Sequence, residues 1–123
     1  MILLDSDDDC PAMMGNRLLN STRRIRADVP VVVSLAQREY ESWFLAAAQS
    51  LQNQAGLPED LAAPENHESI RDAKGSLARH MPIGDSYDPI RHQRLFTQKF
   101  SLSQALANRS FKRFHRKVLE ILV

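Results

Sequence analysis

The sequence predicts an α/β domain in which a short parallel βαβ sheet is followed by a mostly helical C-terminal half. Three observations lead there. The apolar run Met1–Leu4 meets four carboxylates within five positions, Asp5, Asp7, Asp8 and Asp9, and Pro11 closes the stretch. A second apolar run, Val29-Pro30-Val31-Val32-Val33-Ser34-Leu35-Ala36, follows an amphipathic segment. Beyond it, the apolar residues recur at helical spacing to the end of the chain. Unbroken apolar runs bounded by turn formers read as strands buried on both faces of a parallel sheet.

The first strand is expected at the N-terminus and the first helix over residues 12–26. Met13, Met14, Leu18 and Ile25 share one stripe of that helix, and Pro11 suits its first turn, where a missing N–H is no loss. Arg23, Arg24 and Arg26 complement the helix dipole at its C-terminal end. The second strand spans 29–36, with Pro30 near its start, where no ladder donor is needed. Strand, helix and strand in this order make a right-handed parallel crossover.

A helix is expected from Glu39 to about Leu51, because Tyr40, Trp43, Phe44, Ala47 and Leu51 form an apolar stripe rich in helix formers. Residues 53–66 read as a surface loop, long enough to serve as a lid or an interface segment. Glu65–Glu68 opens a helix to about His80, carrying Ile70, Ala73, Leu77 and Met81 on one side. A turn-rich connector at 82–89 precedes short helices over 91–99 and 102–107. Ser110 is expected to cap a last helix whose face of Phe111, Phe114, Val118, Ile121 and Leu122 opposes Lys112, Arg113, His115, Arg116 and Lys117. The chain thus reads as one domain over residues 1–123, with a βαβ core at 1–52 and a helical part at 67–123.

Composition narrows the function classes. The chain has 123 residues and a formal net charge of +1. Residues 1–60 carry five Arg against nine Asp or Glu, whereas residues 61–123 carry eleven Lys or Arg against six. This asymmetry suits an acidic site beside a basic surface that attracts a polyanion such as DNA or RNA; it equally suits two solvated faces. The lone Cys10 makes no internal disulfide, and no apolar run is long enough to span a membrane, so a cytoplasmic protein is expected. His67, His80, His92 and His115 lack metal-ligand spacing.

The acidic stretch carries the candidate chemistry. In open α/β sheets ligands sit beyond the carboxyl ends of the strands. Asp5 and Asp7 would stand there close enough to share a hard cation, with Asp9 the third candidate ligand. Mg²⁺ or Mn²⁺ suits such a site, because a small hard ion needs only one or two carboxylates plus water and phosphate oxygens. Capping of the following helix explains one acidic residue but not four that repel one another. Glu39 and Glu41 fall on the same rim, where either could complete a metal site or act as a base. Spacing alone favours the plainer reading, that both decorate the first turn of a helix.

Five ordered stretches carry a family resemblance: residues 3–11, residues 38–46, Glu68-Ser69-Ile70-Arg71-Asp72-Ala73-Lys74, residues 87–100, and Ser110-Phe111-Lys112-Arg113-Phe114. Together they resemble the Toprim-like bacterial family known as domain of unknown function 4276. The resemblance implies a Toprim-like fold in which Asp5 and Asp7 match a Mg²⁺-binding D-x-D pair. Glu41 matches an acidic position before the family's tryptophan, with Glu39 its neighbour. It further implies nuclease-like phosphodiester chemistry in phage defence or DNA processing, an ATPase partner, and phosphate contacts by Arg71 and Lys74. The family's upstream strands and their glutamate would precede Met1, so a chain truncated at its N-terminus is expected. Loss of that part would leave a non-catalytic interaction module, able to pair with a second copy through an exposed sheet edge. The run from Asp5 to Asp9 also resembles the D-x-D-x-T loop of haloacid-dehalogenase-like phosphatases, with Asp5 as nucleophile, although Asp9 stands where that loop has Thr or Val.

Overall fold

β1 (Ile2–Asp5) and β2 (Val33–Ala36) lie side by side in parallel, with Leu4 opposite Leu35 and Asp5 opposite Ala36. The structure, a computed structural model, describes residues 1–122. Between the strands, α1 (Pro11–Ile25) makes the crossover, starting with Pro11 in its first turn and ending in Arg23 and Arg24. A Cβ built on Gly15 would sit 3.8 Å from Leu35 Cδ1, which places α1 over the Leu4–Leu35 face of the sheet. The opposite face meets the main core, against which Leu3 packs.

The two strands differ in burial, which corrects the expectation that both are covered on both faces. Every residue of β2 is buried, but in β1 Leu4 is 43% exposed. α1 buries none of its residues, and Met13 and Ile25 of its expected apolar stripe are exposed. The cause is position. β1 has a strand neighbour on one side only, whereas the outer edge of β2 is covered by α6 (Arg109–Leu122), whose Lys117 Nζ donates to the Val33 carbonyl at 2.7 Å. Residues 29–32, expected in the second strand, precede it, and Val29 is exposed.

The core forms around α2 (Glu41–Ala46), all six residues of which are buried. Trp43 and Phe44 sit at its centre. Trp43 meets Phe111 and Phe114 of α6, and Phe44 meets Phe96 and Phe100 edge-on at 5.7 and 5.6 Å, geometries favoured by the ring quadrupoles. The expected helix to Leu51 divides at Ala47 into α2 and a 3₁₀ turn over Ala48–Leu51. Side chains stabilise the break: the Ser50 amide donates to Gln104 Oε1 and the Ser50 hydroxyl to the Ala47 carbonyl. The segment expected as a surface loop, serving as a lid or an interface segment, is anchored to the core. Leu57 and Leu61 are buried, and Gln52 Nε2 donates to the Leu61 carbonyl.

The helix expected from 65 to 80 also divides, into a 3₁₀ turn over His67–Ser69 and α3 (Ala73–His80). Asp72 caps α3 by accepting from the Gly75 amide, and a residue that caps in this way lies at the helix boundary rather than in its interior. A π-helical turn over Pro89–Gln93 leads into α4 (Arg94–Lys99), followed by α5 (Leu102–Ala105), which Ser101 caps. Asn108, not Ser110, caps α6: its buried Oδ1 accepts from the Ser110 amide, the Ser110 hydroxyl and the Phe111 amide.

Candidate functional site

The carboxyl ends of β1 and β2 are stitched together by the backbone that follows them. The Ser6 amide donates to the Ala36 carbonyl and the Asp7 amide to the Arg38 carbonyl, while the Arg38 amide donates to Ser6 Oγ. Asp7 and Arg38 both adopt left-handed backbone, with φ of 49° and 64°. A side chain at such a conformation is strained and is held there by its surroundings. The stitching brings Asp5, Glu39 and Glu41 onto one rim.

Each carboxylate is differently engaged. Asp5 Oδ1 accepts from the Tyr40 amide at 2.7 Å, leaving Oδ2 3.9 Å from Lys74 Nζ. Burial raises the Asp5 pKa above the ordinary value, outweighing the Tyr40 hydrogen bond and the Lys74 charge, and Glu41 and Asp7 add to the rise. Glu39 Oε2 accepts from the Ala73 and Lys74 amides at 2.6 and 3.2 Å, at the positive end of α3, and its Oε1 lies 3.2 Å from Lys74 Nζ.

Glu41 is fully buried. Its Oε1 accepts from the Tyr87 hydroxyl at 2.8 Å and from Gln93 Nε2 at 3.2 Å. Among the described residues its Oε2 has no hydrogen-bond partner, and it faces the Lys74 ammonium 3.3 Å away. Lys74 thus stands among three carboxylates. Burial alone would lower its pKa, but Glu41 and Glu39 together hold it above the ordinary value. Burial and the hydrogen bond to Glu41 push the Tyr87 phenol far up, so it remains a proton donor.

The three expected metal positions are not gathered. Asp7 and Asp8 line a cleft of about 160 Å³ with Arg38, Glu39 and Arg71, in which Asp8 Oδ1 lies 3.5 Å from Arg38 Nη1 and 4.0 Å from Arg71 Nη1. Asp9 lines a different cleft with Cys10, Met13, Met14 and Arg17. Among the described residues no group of three or more His, Cys, Asp or Glu side chains is arranged to hold a metal ion. Of the two expected phosphate contacts, Lys74 is committed to carboxylates, whereas Arg71 is exposed beside Asp8.

Sequence reasoning missed Tyr87 and Gln93, which approach Glu41 from 46 and 52 residues away, and it missed Arg38, whose Nε is buried without a hydrogen-bond partner. No local pattern marks such long-range partners. The presence of Glu39 and Glu41 on the strand rim was legible, because both follow the second strand directly. No helix of the described residues is long and apolar enough to cross a membrane.

Among curated proteins and among solved structures nothing matches this chain. The model of the family described as a domain of unknown function, DUF4276, matches residues 1–119. A match of that extent, over both strands and nearly all of the last helix, means that the chain belongs to the DUF4276 family.

Proposed function

We propose that the strand-tip rim binds a divalent cation, Mg²⁺ or Mn²⁺, and serves phosphodiester-cleaving chemistry of a Toprim-like, nuclease-like kind. The observation that carries this reading is Glu41 Oε2: a fully buried carboxylate oxygen without a hydrogen-bond partner, facing the same ammonium as Asp5 Oδ2. A buried carboxylate oxygen without a hydrogen bond is costly, the half-exposed Lys74 ammonium offsets that cost only in part, and a bound cation would lower it further. Three carboxylates against one ammonium leave an excess of negative charge that suits a divalent ion.

The fit is selective. Asp5 and Glu41 would hold the ion, a number of carboxylates that suits Mg²⁺ when water and phosphate oxygens complete the shell. Glu39 orients Lys74 and α3, and Asp9 does not fit, because it faces a separate cleft. A cation so held supplies charge neutralisation on a phosphate and lowers the pKa of bound water. The chain's own part is to keep Asp5 on the strand tip through the Tyr40 amide and to hold Glu41 beside Lys74 through Tyr87 and Gln93. Arg71 and Arg38, across the adjoining cleft, offer guanidinium groups to a phosphate.

Calorimetric titration of Mg²⁺ and Mn²⁺ into the chain, Asp5→Asn and Glu41→Gln, with folding checked by circular dichroism, tests this reading. Saturable binding that is lost in both variants supports it, and cleavage of DNA or RNA is then measured with metal and with chelator. A well-folded chain that binds neither ion overturns it.

A second reading has its own observation. β1 has a free edge, Leu4 beside it is exposed, and α1 buries no residue. An uncovered apolar edge suits a non-catalytic interaction module docked on a partner, such as an ATPase or a second copy of the chain. Light scattering after size exclusion tests the second copy, and a monomer at high concentration removes it.

A further inference from the structure

Away from the rim, one cleft is lined by two cations that form no ion pair with a carboxylate among the described residues. It lies between α1 and α6 over the outer edge of β2, holds about 150 Å³, and is lined by Gly15 and Asn16, by Val33 and Leu35, and by Arg113 and Lys117. Lys117 Nζ donates to the Val33 carbonyl, which fixes its ammonium at the cleft. Among the described residues neither Arg113 nor Lys117 has a carboxylate within 4.0 Å, and the acidic residue of α6, Glu120, pairs with Arg116 at 3.6 Å. Burial, then Arg113 and Arg116, lower the Lys117 pKa, and the Glu120 carboxylate offsets only part of that effect.

The positive charge does not stop at the cleft. Arg113 also lines a larger groove of about 580 Å³ along α6, together with Lys112 and Arg116. Arg109, at the start of the helix, is tied to Glu68, but Lys112 has no ionic partner among the described residues. Two cations suffice for one phosphate. A row of them along one helix suits a chain of phosphates, as in the backbone of a nucleic acid.

We propose that the cleft between α1 and α6 binds a phosphate group of a nucleic-acid strand through Arg113 and Lys117, with the neighbouring phosphates running along Lys112 and Arg116. The small residues of α1 leave room for the phosphate, and Asn16 offers it an amide donor. This surface is distinct from the carboxylate rim and needs no metal ion.

Fluorescence anisotropy of a labelled single-stranded oligonucleotide with the full chain, in chelator and over a series of salt concentrations, tests the proposal. Saturable binding is expected, weakening as salt rises. Arg113→Gln, at an exposed position whose side chain makes no hydrogen bond among the described residues, is expected to weaken binding about tenfold and to lower the salt slope by about 0.7, the share of one single-strand phosphate contact. Lys112→Gln is expected to act in the same direction, and Arg23→Gln, on the exposed end of α1, to leave affinity unchanged. Absence of binding at low salt, or an equal loss in Arg23→Gln, overturns the proposal. Inorganic phosphate or a mononucleotide that binds as tightly as the oligonucleotide also overturns it, in favour of a small-anion site. Because the assay is run in chelator, failure here and failure of the metal reading are separately visible.

Discussion

Lys74 Nζ lies 3.3 Å from Glu41 Oε2, so among the described residues the cation facing this fully buried carboxylate oxygen is a half-exposed lysine 33 positions further along the chain. The pair joins α2 at the centre of the core to α3 at its periphery. Its partners on both sides, Glu39 and Tyr87, hold the two ends in place.

Removal of the cation is expected to destabilise the fold. Lys74→Met leaves Glu41 buried and uncompensated, at a cost of about 2 kcal/mol. This is less than for breaking a fully buried pair, because the lysine side chain is 39% exposed. The double variant Lys74→Met with Glu41→Gln is expected to recover most of the loss, since the glutamine carbonyl still accepts from Tyr87. Urea denaturation of the four proteins checks both. The Lys74 pKa is raised in the folded state, so its contribution is complete below the ordinary value of 10.5 and fades as pH rises through the folded value.

Asp5 works against stability at neutral pH. Its pKa is raised by burial, so folding favours the protonated form. Stability from this group is complete below 3.8 and is lost as pH rises through the folded value. Asp5→Asn, whose side-chain oxygen still accepts from the Tyr40 amide, is expected to raise the thermal midpoint at pH 7. The gain should disappear below pH 3.8. Thermal melts at the two pH values measure it, and a lower midpoint at pH 7 contradicts the expectation.

The strand tip stores strain. Asp7 holds φ at 49°, a region open to glycine without penalty, so Asp7→Gly is expected to stabilise the fold by about 0.5–1 kcal/mol. Asp7→Val is expected to destabilise it by more than that, because a β-branched side chain tolerates this region worst. Chemical denaturation separates the two.

The cap of α6 is buried, and its loss is expected to cost more than that of a surface cap. Asn108→Ala strips the Ser110 and Phe111 amides of their acceptor in a dry setting and is expected to lose about 2–3 kcal/mol. Ser110→Ala keeps those bonds but orphans Trp43 Nε1, which donates to Ser110 Oγ at 2.7 Å, at a cost of about 1–2 kcal/mol. Denaturation followed by Trp43 fluorescence reports both variants.

Much of this was legible from residue pattern, because it rests on local chemistry. The apolar runs before Asp5 and around Val33 announced two strands, and Pro11 with Arg23 and Arg24 marked the ends of the helix between them. The carboxylates after each strand announced an acidic rim. Pattern misled where one helix-like stripe hid two elements. The stripe from Tyr40 to Leu51 is continuous, yet Gln104 captures the Ser50 amide and the helix gives way at Ala47. Ser110 looked like a cap, but Asn108 does the capping while Ser110 serves Trp43.

By itself, the sequence determined the element types, the parallel crossover and the acidity of the strand tips, since hydrophobic period, turn chemistry and capping act between near neighbours. The tertiary structure alone decided that Asp7 and Asp9 line separate clefts, that Lys74 rather than a third aspartate faces Asp5 and Glu41, and that Lys117 covers the edge of β2. Those outcomes depend on charges and hydrogen-bond partners tens of residues apart. Which of them meet is set by how the core around Trp43 and Phe44 packs, and no local pattern carries that information.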